Sequence, residues 1–227
     1  MITKSKSEFQ RLMSFSFLRP LAQARFRLQR PISSFLIREP PSSAPRIVPT
    51  PLVFVSATQW DQSSRQGFTV LAQMYSEKGY ICLDTDLALS ADGNSANIMQ
   101  DFESELKSVV RASFNPFPPV FFARGAACLI TQTYISSNPA SGLVLISPPS
   151  SNNSLLSKSL LSHALPEFNF EPKFPIAIVD TPQGMANLQA QNFRLAKDDR
   201  VDRIAVNALE GQDAFVKIEQ WMDEIGL

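Results

Sequence analysis

From about residue 51 onward, the sequence alternates between short apolar runs and amphipathic stretches. The apolar runs are continuous and have the length of strands, which is typical of parallel strands that are buried on both faces. Six such runs occur, at 51–55, 80–83, 120–122, 142–146, 174–179 and 203–208. The pattern predicts an α/β fold with a mostly parallel sheet of about six strands, flanked by helices.

The stretches between these runs carry apolar residues at helical spacing. In the clearest case Ile98, Phe102, Leu106 and Val109 lie on one face, and Ser95 is placed to cap the helix. Further helices are predicted over 68–78, 125–136, 152–165, 185–195 and 213–225. In folds of this class ligands bind where strands end and helices begin, so these loops are where a functional site is expected.

The N-terminal segment differs in charge from the rest of the chain. Residues 1–38 hold eight basic residues and one acidic residue, whereas residues 39–227 hold 13 basic and 20 acidic residues. Among the arginines, apolar residues recur every four positions, at Phe9, Met13, Phe17 and Leu21. A basic amphipathic segment of this kind is typical of a mitochondrial presequence, so we expect the protein in the mitochondrial matrix.

Cleavage between Arg27 and Arg38 is the expected processing step. The alternative role for residues 1–38 is a basic arm that binds nucleic acid or an anionic membrane. Residues 39–50 contain four prolines and are predicted to be a linker, which leaves 51–227 as the folded domain. The negative charge of that domain disfavours nucleic-acid binding, and no window of the sequence has the apolar length of a transmembrane segment.

One junction between a strand and a helix has the surroundings of a catalytic serine. Residues 119–127 read Pro-Val-Phe-Phe-Ala-Arg-Gly-Ala-Ala, an apolar strand followed by the small residues that open a helix. This is the setting of the G-x-S-x-G nucleophile elbow. Here the sequence resembles the α/β-hydrolase superfamily. The resemblance spans 51–227 and includes Gly-Tyr-Ile-Cys-Leu-Asp-Thr-Asp-Leu at 79–87 and Leu-Val-Leu-Ile-Ser-Pro-Pro at 143–149.

The resemblance implies a position for each group of a serine hydrolase. Gly125 stands at the nucleophile, Gln212 at the base and Gln183 at the acid, with Gly184 and Asp180 as neighbouring candidates for the acid. The oxyanion loop corresponds to residues 56–59. Because glycine has no side chain and glutamine is not a general base near neutral pH, we predict that these positions no longer support catalysis.

Other catalytic or cofactor sites have little support in the sequence. His163 is the only histidine, so its role is either structural or that of a base paired with Ser150, Ser151 or Ser162. Cys82 and Cys128 are expected to be buried free thiols. A metal site is not expected, because one histidine and two cysteines lie in separate elements. No cofactor is expected either, since the glycines are isolated and form no phosphate-binding fingerprint.

Three functions remain open. In the first, the protein is a catalytically inactive α/β-hydrolase-like mitochondrial protein that acts by binding a protein partner or joining an assembly. In the second, it is an esterase or thioesterase with a displaced catalytic set around His163. In the third, it binds a small molecule, and Arg124 contacts an anionic group.

Two structural expectations bear on this choice. The alternative role of Arg124 is a salt bridge to Asp84 or Asp86. The lid is expected to be reduced to some two dozen residues after Pro149. Its predicted helix, 152–165, either leaves the functional edge of the sheet open or packs down and closes it.

Overall fold

The computed structural model describes residues 33–89 and 93–227, which form one seven-stranded sheet with helices on both faces. The strands lie in the order β1-β3-β2-β4-β5-β6-β7; β1 is antiparallel to β3, and all other neighbours are parallel. Their bounds are β1 Ser34–Arg38, β2 Val48–Ser56, β3 Tyr80–Asp86, β4 Val120–Arg124, β5 Gly142–Ile146, β6 Ile176–Asp180 and β7 Val201–Ala205. The predicted α/β fold is confirmed.

Most of the helices lie between the strands where the periodicity predicts them. Their bounds are α1 Phe68–Glu77, α2 Ser95–Ala112, α3 Ala127–Ile135, α4 Ser154–Ser157, α5 Pro182–Ala190, α6 Arg194–Lys197 and α7 Gln212–Glu224. A 3₁₀ helix, Gln62–Arg65, precedes α1. The cap of α2 is Asn94, whose side chain accepts a hydrogen bond from the Ala96 backbone, so Ser95 is the first helical residue and not the cap.

Burial on both faces explains why the strands read as continuous apolar runs. In β2, Leu52 and Phe54 lie in the core that is covered by α1 and α7, while Val53 and Val55 lie in the core on the opposite face, beneath α2 and α3. All four side chains are at most 1% exposed. Alternate residues of one strand therefore fill two separate cores, as in a parallel sheet covered on both faces.

The sheet begins earlier in the chain than the expected domain boundary at residue 51. β2 starts at Val48, and Ser34–Arg38, the end of the segment interpreted as a presequence, forms the antiparallel edge strand β1. The seventh strand was missed because an edge strand is defined by its pairing, here with Cys82 to Asp86 of β3. The rest of the presequence interpretation, residues 1–32, lies outside the described residues.

None of the helices within 33–89 and 93–227 combines the length and the apolar character that a membrane crossing requires.

Candidate functional site

A cleft of about 650 Å³ lies at the carboxyl ends of β4, β5 and β6. Arg124 and Gly125 line it from the end of β4, Ser147 from the end of β5 and Asp180 from the end of β6. Gln183 lines it as well. The cleft therefore brings together Gly125, Gln183 and Arg124, three of the residues that the sequence singled out.

The backbone at Gly125 keeps the geometry of a sharp turn between strand and helix. Gly125 has a φ of +58°, in the left-handed region, and its backbone N–H donates to the Ile146 carbonyl at 3.0 Å. Glycine adopts this region without the steric cost that a Cβ brings. The elbow is thus present as a backbone structure, and a hydrogen atom takes the place of a nucleophilic side chain.

Asp61 occupies the space beside the elbow. Its Oδ2 accepts a hydrogen bond from the Ala126 backbone N–H at 2.9 Å, and a Cβ added at Gly125 would lie 2.7 Å from the same oxygen. In the hydrolases that the sequence resembles, the N–H following the nucleophile is a donor to the oxyanion. Here the Asp61 carboxylate accepts from that N–H, and Gly125 has no side chain beside it.

Asp61 is held in this position by its own loop. Its Oδ1 accepts from the Ser63 backbone at 2.9 Å and from the Ser63 hydroxyl at 2.6 Å, which caps the short 3₁₀ helix. Asp61 was not among the functional residues predicted from the sequence. An Asp two residues before a Ser is a recognisable local capping pattern, but its contact with Ala126 bridges 65 residues and leaves no local trace.

Asp180 is the buried carboxylate of the site. It is 5% exposed, and its burial raises its pKa above the usual range, although the hydrogen bond from the Thr181 backbone at 2.7 Å acts in the opposite direction. Gly184 makes room for it, because a Cβ there would lie 2.1 Å from Oδ1. Gln183 lies in the first turn of α5 and donates to Asn187 at 3.1 Å. Of the candidates for the acid, Asp180 is therefore the one with a carboxylate in the cleft.

Gln212 does not reach the cleft. It is exposed and forms the first residue of α7, while the loop before it contributes Leu209 to the lining. The position implied for the base therefore does not line the cleft at Gly125.

Arg124 forms a different salt bridge from the one expected. Its Nη1 donates to Glu210 Oε1 and to the Gln66 carbonyl, each at 2.9 Å. Asp84 and Asp86 instead face Arg65, at 3.4 and 3.5 Å. The expectation was wrong because β2 lies between β3, which carries both aspartates, and β4, which ends at Arg124.

His163 lies on the exposed surface and does not line the cleft. Its Nδ1 is 2.8 Å from the Ser162 hydroxyl oxygen, and its backbone N–H donates to the Ser95 hydroxyl at 2.9 Å. Ser150 lines the cleft and bonds Gln191 instead of the histidine. Of the three serines predicted to pair with His163, Ser162 is the one that does, and neither residue of this pair lines the cleft at Gly125.

Within residues 33–89 and 93–227, no three His, Cys, Asp or Glu side chains are grouped in a way that would hold a metal ion. Cys82 and Cys128 are free and buried, and burial raises the pKa of both thiols. The thiols are therefore protonated near neutral pH and poorly suited to nucleophilic attack.

The lid segment borders the cleft without filling it. Only Ser154–Ser157 is helical, a much shorter helix than the predicted 152–165. The hydrogen bonds that hold the segment include those from Trp60 Nε1 to the Leu160 carbonyl at 2.7 Å, from Asn152 Nδ2 to the Pro166 carbonyl at 2.6 Å, and from Ser162 N to Ser95 Oγ at 3.0 Å. The cleft remains open beneath it.

No protein-family model matches the chain, and a search of curated proteins returns no match. Solved structures do match. A thermophilic esterase from Thermogutta terrifontis, with propionate bound, is 15% identical with a TM-score of 0.59, covering 88% of this chain and 92% of its own. A serine hydrolase without a lid from Xanthomonas campestris is 12% identical with a TM-score of 0.58, covering 85% and 88%. A Silicibacter protein described as a thioesterase is 17% identical with a TM-score of 0.57, covering 82% and 74%.

These neighbours carry esterase, thioesterase or serine hydrolase descriptions, and their strand-and-helix arrangement agrees with the seven-stranded sheet described above. The chain therefore has the α/β-hydrolase fold.

Proposed function

We propose that this protein does not hydrolyse esters or thioesters and that it binds a small molecule in the cleft at the ends of β4, β5 and β6. The observation that carries the proposal is the pairing of Gly125 with Asp61, whose carboxylate bonds the N–H of Ala126 at 2.9 Å. The two features act together, because one removes the nucleophile and the other occupies the donor that would stabilise an oxyanion.

Acyl transfer requires both functions. Removing one oxyanion donor from a working site lowers kcat by about 10²- to 10³-fold. Here the donor faces a negative charge, which would repel the negative charge that develops on the acyl oxygen. The missing side chain at Gly125 removes covalent catalysis from this position. Either change alone would suppress hydrolysis at this elbow.

The cleft itself supports ligand binding. Its volume of about 650 Å³ lies within the roughly 300–1,000 Å³ of small-molecule sites. It opens at the carboxyl edge of the parallel sheet, where ligands of this fold class bind. Its lining combines apolar groups such as Leu155 and Leu160 with the charged side chains of Arg124, Lys158 and Asp180.

Ester hydrolysis tests the proposal. We expect no release of p-nitrophenol from p-nitrophenyl acetate or hexanoate above the rate in buffer, and no cleavage of an acyl thioester. Gly125→Ser should remain inactive, because no histidine is among the described residues that line the cleft and Gln212 cannot act as the base. Hydrolysis by the natural chain that is lost in His163→Ala would overturn the proposal in favour of a displaced catalytic set.

Protein binding is the second candidate function, favoured by the edge strand β1. Phe35, Leu36 and Ile37 are 43%, 49% and 38% exposed, although they lie in consecutive positions of a strand. Exposed apolar edge strands pair readily with other chains. Affinity purification from isolated mitochondria should then yield a stoichiometric partner that is lost with Leu36→Lys. A protein recovered alone would count against this candidate.

The mitochondrial matrix is the location that we propose, on the basis of the basic amphipathic N-terminal segment. Fractionation of mitochondria with protease protection would test it. Recovery of the protein in the cytosol would overturn the assignment.

A further inference from the structure

A second cavity, of about 220 Å³, adjoins the cleft. The two share Pro149, Ser150 and Gln191 as lining residues. Between Ser150 and Gln191, a hydrogen bond from the serine hydroxyl to the amide oxygen marks the boundary. We call the smaller cavity the side pocket. A ligand in the cleft is therefore next to a second space, and the Ser150–Gln191 contact lies where the two cavities meet.

The side pocket is lined by a cation with an unused donor. Arg194 Nη2 is buried and has no hydrogen-bond partner, and the guanidinium carbon lies 5.1 Å from the centroid of the Phe170 ring. Two other buried side-chain atoms of the described residues lack partners, Arg38 Nε and Asp84 Oδ1. Neither of those residues lines the cleft or the side pocket, so Arg194 alone combines an unused buried donor with an adjoining space.

The carboxylates of the two cavities already have partners. Glu167 Oε1 accepts from the Asn152 backbone at 2.7 Å in the side pocket. In the cleft, Asp61 accepts from the Ala126 backbone and Asp180 from the Thr181 backbone. Buried polar groups in folded proteins nearly always have a hydrogen-bond partner. A buried donor without one therefore indicates which kind of acceptor a ligand would supply.

The charged lining groups that have no hydrogen-bond or ion-pair partner among the described residues are cationic. Besides Arg194, the exposed Lys158 at the cleft forms no ion pair with any described residue. A guanidinium presents several N–H groups in a plane that matches the oxygens of a carboxylate or phosphate. Arg200 pairs directly with Asp198 and lowers its pKa, and Arg194 acts in the same direction without such a pairing, so an oxyanion would be the first direct ion-pair partner of Arg194 among the described residues.

On this basis we propose that the ligand is an organic anion whose carboxylate or phosphate binds Arg194 in the side pocket, while its remaining part occupies the cleft. This inference rests on the proposed function, since it names the class of molecule that the cleft binds. It also requires the Ser150–Gln191 contact to open or to be bridged by the ligand.

Isothermal titration calorimetry with hexanoate, hexyl phosphate and hexanamide tests the inference on the full chain. Hexanamide is the neutral counterpart of hexanoate and has a similar shape. We expect at least one of the two anions to bind, and hexanamide to bind about tenfold more weakly or worse, because charged hydrogen bonds are the stronger ones. Which anion binds better distinguishes a carboxylate ligand from a phosphate ligand.

Arg194→Met removes the charge and keeps a side chain able to pack on Phe170. We expect the dissociation constant of the anion to rise by about tenfold or more, as a lost charged hydrogen bond implies. Arg194→Lys keeps the charge and should bind with intermediate affinity. Arg111→Met, a change at an exposed arginine of α2 that lines neither cavity, is the matched control and should bind as the natural chain does.

Circular dichroism and thermal unfolding without ligand establish that each variant is folded. If Arg194→Met does not fold, Arg194→Lys and the comparison of hexanoate with hexanamide decide the question. Equal binding of hexanamide and hexanoate, or binding unaffected by Arg194→Met, would overturn the anion inference and leave small-molecule binding intact. Absence of binding by both anions would overturn it as well. Hydrolysis of p-nitrophenyl hexanoate would instead contradict the proposed function, on which this inference rests.

Discussion

At the scale of single residues, the site is defined by two features that depend on each other. Gly125 lacks the side chain that an elbow normally presents, and Asp61 lies where that side chain would point, with Oδ2 2.7 Å from the position of a Cβ. A serine at residue 125 and the present conformation of Asp61 are therefore mutually exclusive. The turn at residue 125 therefore requires glycine for two reasons, its positive φ and the position of Asp61.

Gly125→Ala should destabilise the fold, because its φ of +58° costs a residue with a Cβ about 1–2 kcal/mol and because the methyl group would clash with Asp61. Urea unfolding measures the loss. When Asp61 is also replaced by alanine, Gly125→Ala should lower the free energy of unfolding by less, because only the cost of the positive φ remains.

Gly93→Ala is the control, since a Cβ there meets nothing within 4 Å, and it should stay within about 0.5 kcal/mol of the natural chain. Equal costs of Gly125→Ala with and without Asp61 would contradict the described contact.

Asp180 is expected to make the free energy of unfolding depend on pH, in a direction that its pKa determines. Burial raises its pKa, so over the range between its usual value and the raised value the folded chain holds a proton that the unfolded chain has released. The free energy of unfolding therefore falls as the pH rises through that window. Asp180→Asn, which keeps an acceptor for the Thr181 backbone, should remove this component of the slope in unfolding measured from about pH 4 to 7.

Asp213→Asn provides a comparison of opposite sign. The hydrogen bond from the Asn207 backbone lowers the pKa of Asp213, and Lys217 acts in the same direction. Its contribution to stability is present above the usual Asp pKa and is lost as the pH falls. A slope that Asp180→Asn leaves unchanged would mean that this carboxyl is not destabilised by burial.

At the scale of elements, the edge strand and the lid depart most from the sequence-based prediction. β1 was interpreted as part of a basic presequence because residues 1–38 hold eight basic residues and one acidic residue. The lid was predicted as one helix because Leu155, Leu156, Leu160 and Leu161 have helical spacing. Its helix ends at Ser157, and the segment is held by hydrogen bonds to Trp60 and Ser95 instead.

Removing β1 should destabilise the sheet. A chain that begins at Glu39 would lose the five residue pairs between β1 and β3, and with them the cover on one edge of β3. A chain that begins at Ser33 keeps those pairs and the hydrogen bond from the Ala88 backbone to the Ser33 hydroxyl. We expect the shorter chain to unfold at a lower temperature in calorimetry. Equal unfolding temperatures would show that β1 adds no stability.

At the scale of the whole molecule, the chain divides into a basic N-terminal segment and an acidic folded unit. Residues 1–32 lie outside the described residues, and the sheet starts at Ser34. A processing site anywhere between Arg27 and Arg38 was expected, but cleavage beyond Ser34 would cut into β1. If the N-terminal segment is removed as we propose, the cleavage site must therefore precede Ser34 for β1 to remain complete.

The mature protein should begin between residues 28 and 34, because only such a product combines removal of the basic segment with a complete β1. N-terminal sequencing of the protein purified from mitochondria measures this. A mature terminus after Arg38 would contradict the role given to β1, and an intact Met1 would contradict the presequence.

Local pattern was enough for the six parallel strands, for most helices between them, though not for the lid helix, and for the strand-to-helix turn at Gly125. These features depend on spacings of two to four residues and on burial, which the order of apolar and polar residues encodes directly. The glycine at residue 125 was visible for the same reason, since one residue occupies one position of a short motif.

The contacts that give the site its chemistry required the tertiary structure. Asp61 meets Ala126 across 65 residues and Arg124 meets Glu210 across 86, and both depend on the order in which the strands lie in the sheet. The same order places β2 between Arg124 and the aspartates of β3. The unused donor of Arg194 and the side pocket arise from packing between the lid and the segment around α6. Sequence spacing does not encode such distances, because the folded chain alone brings these residues together.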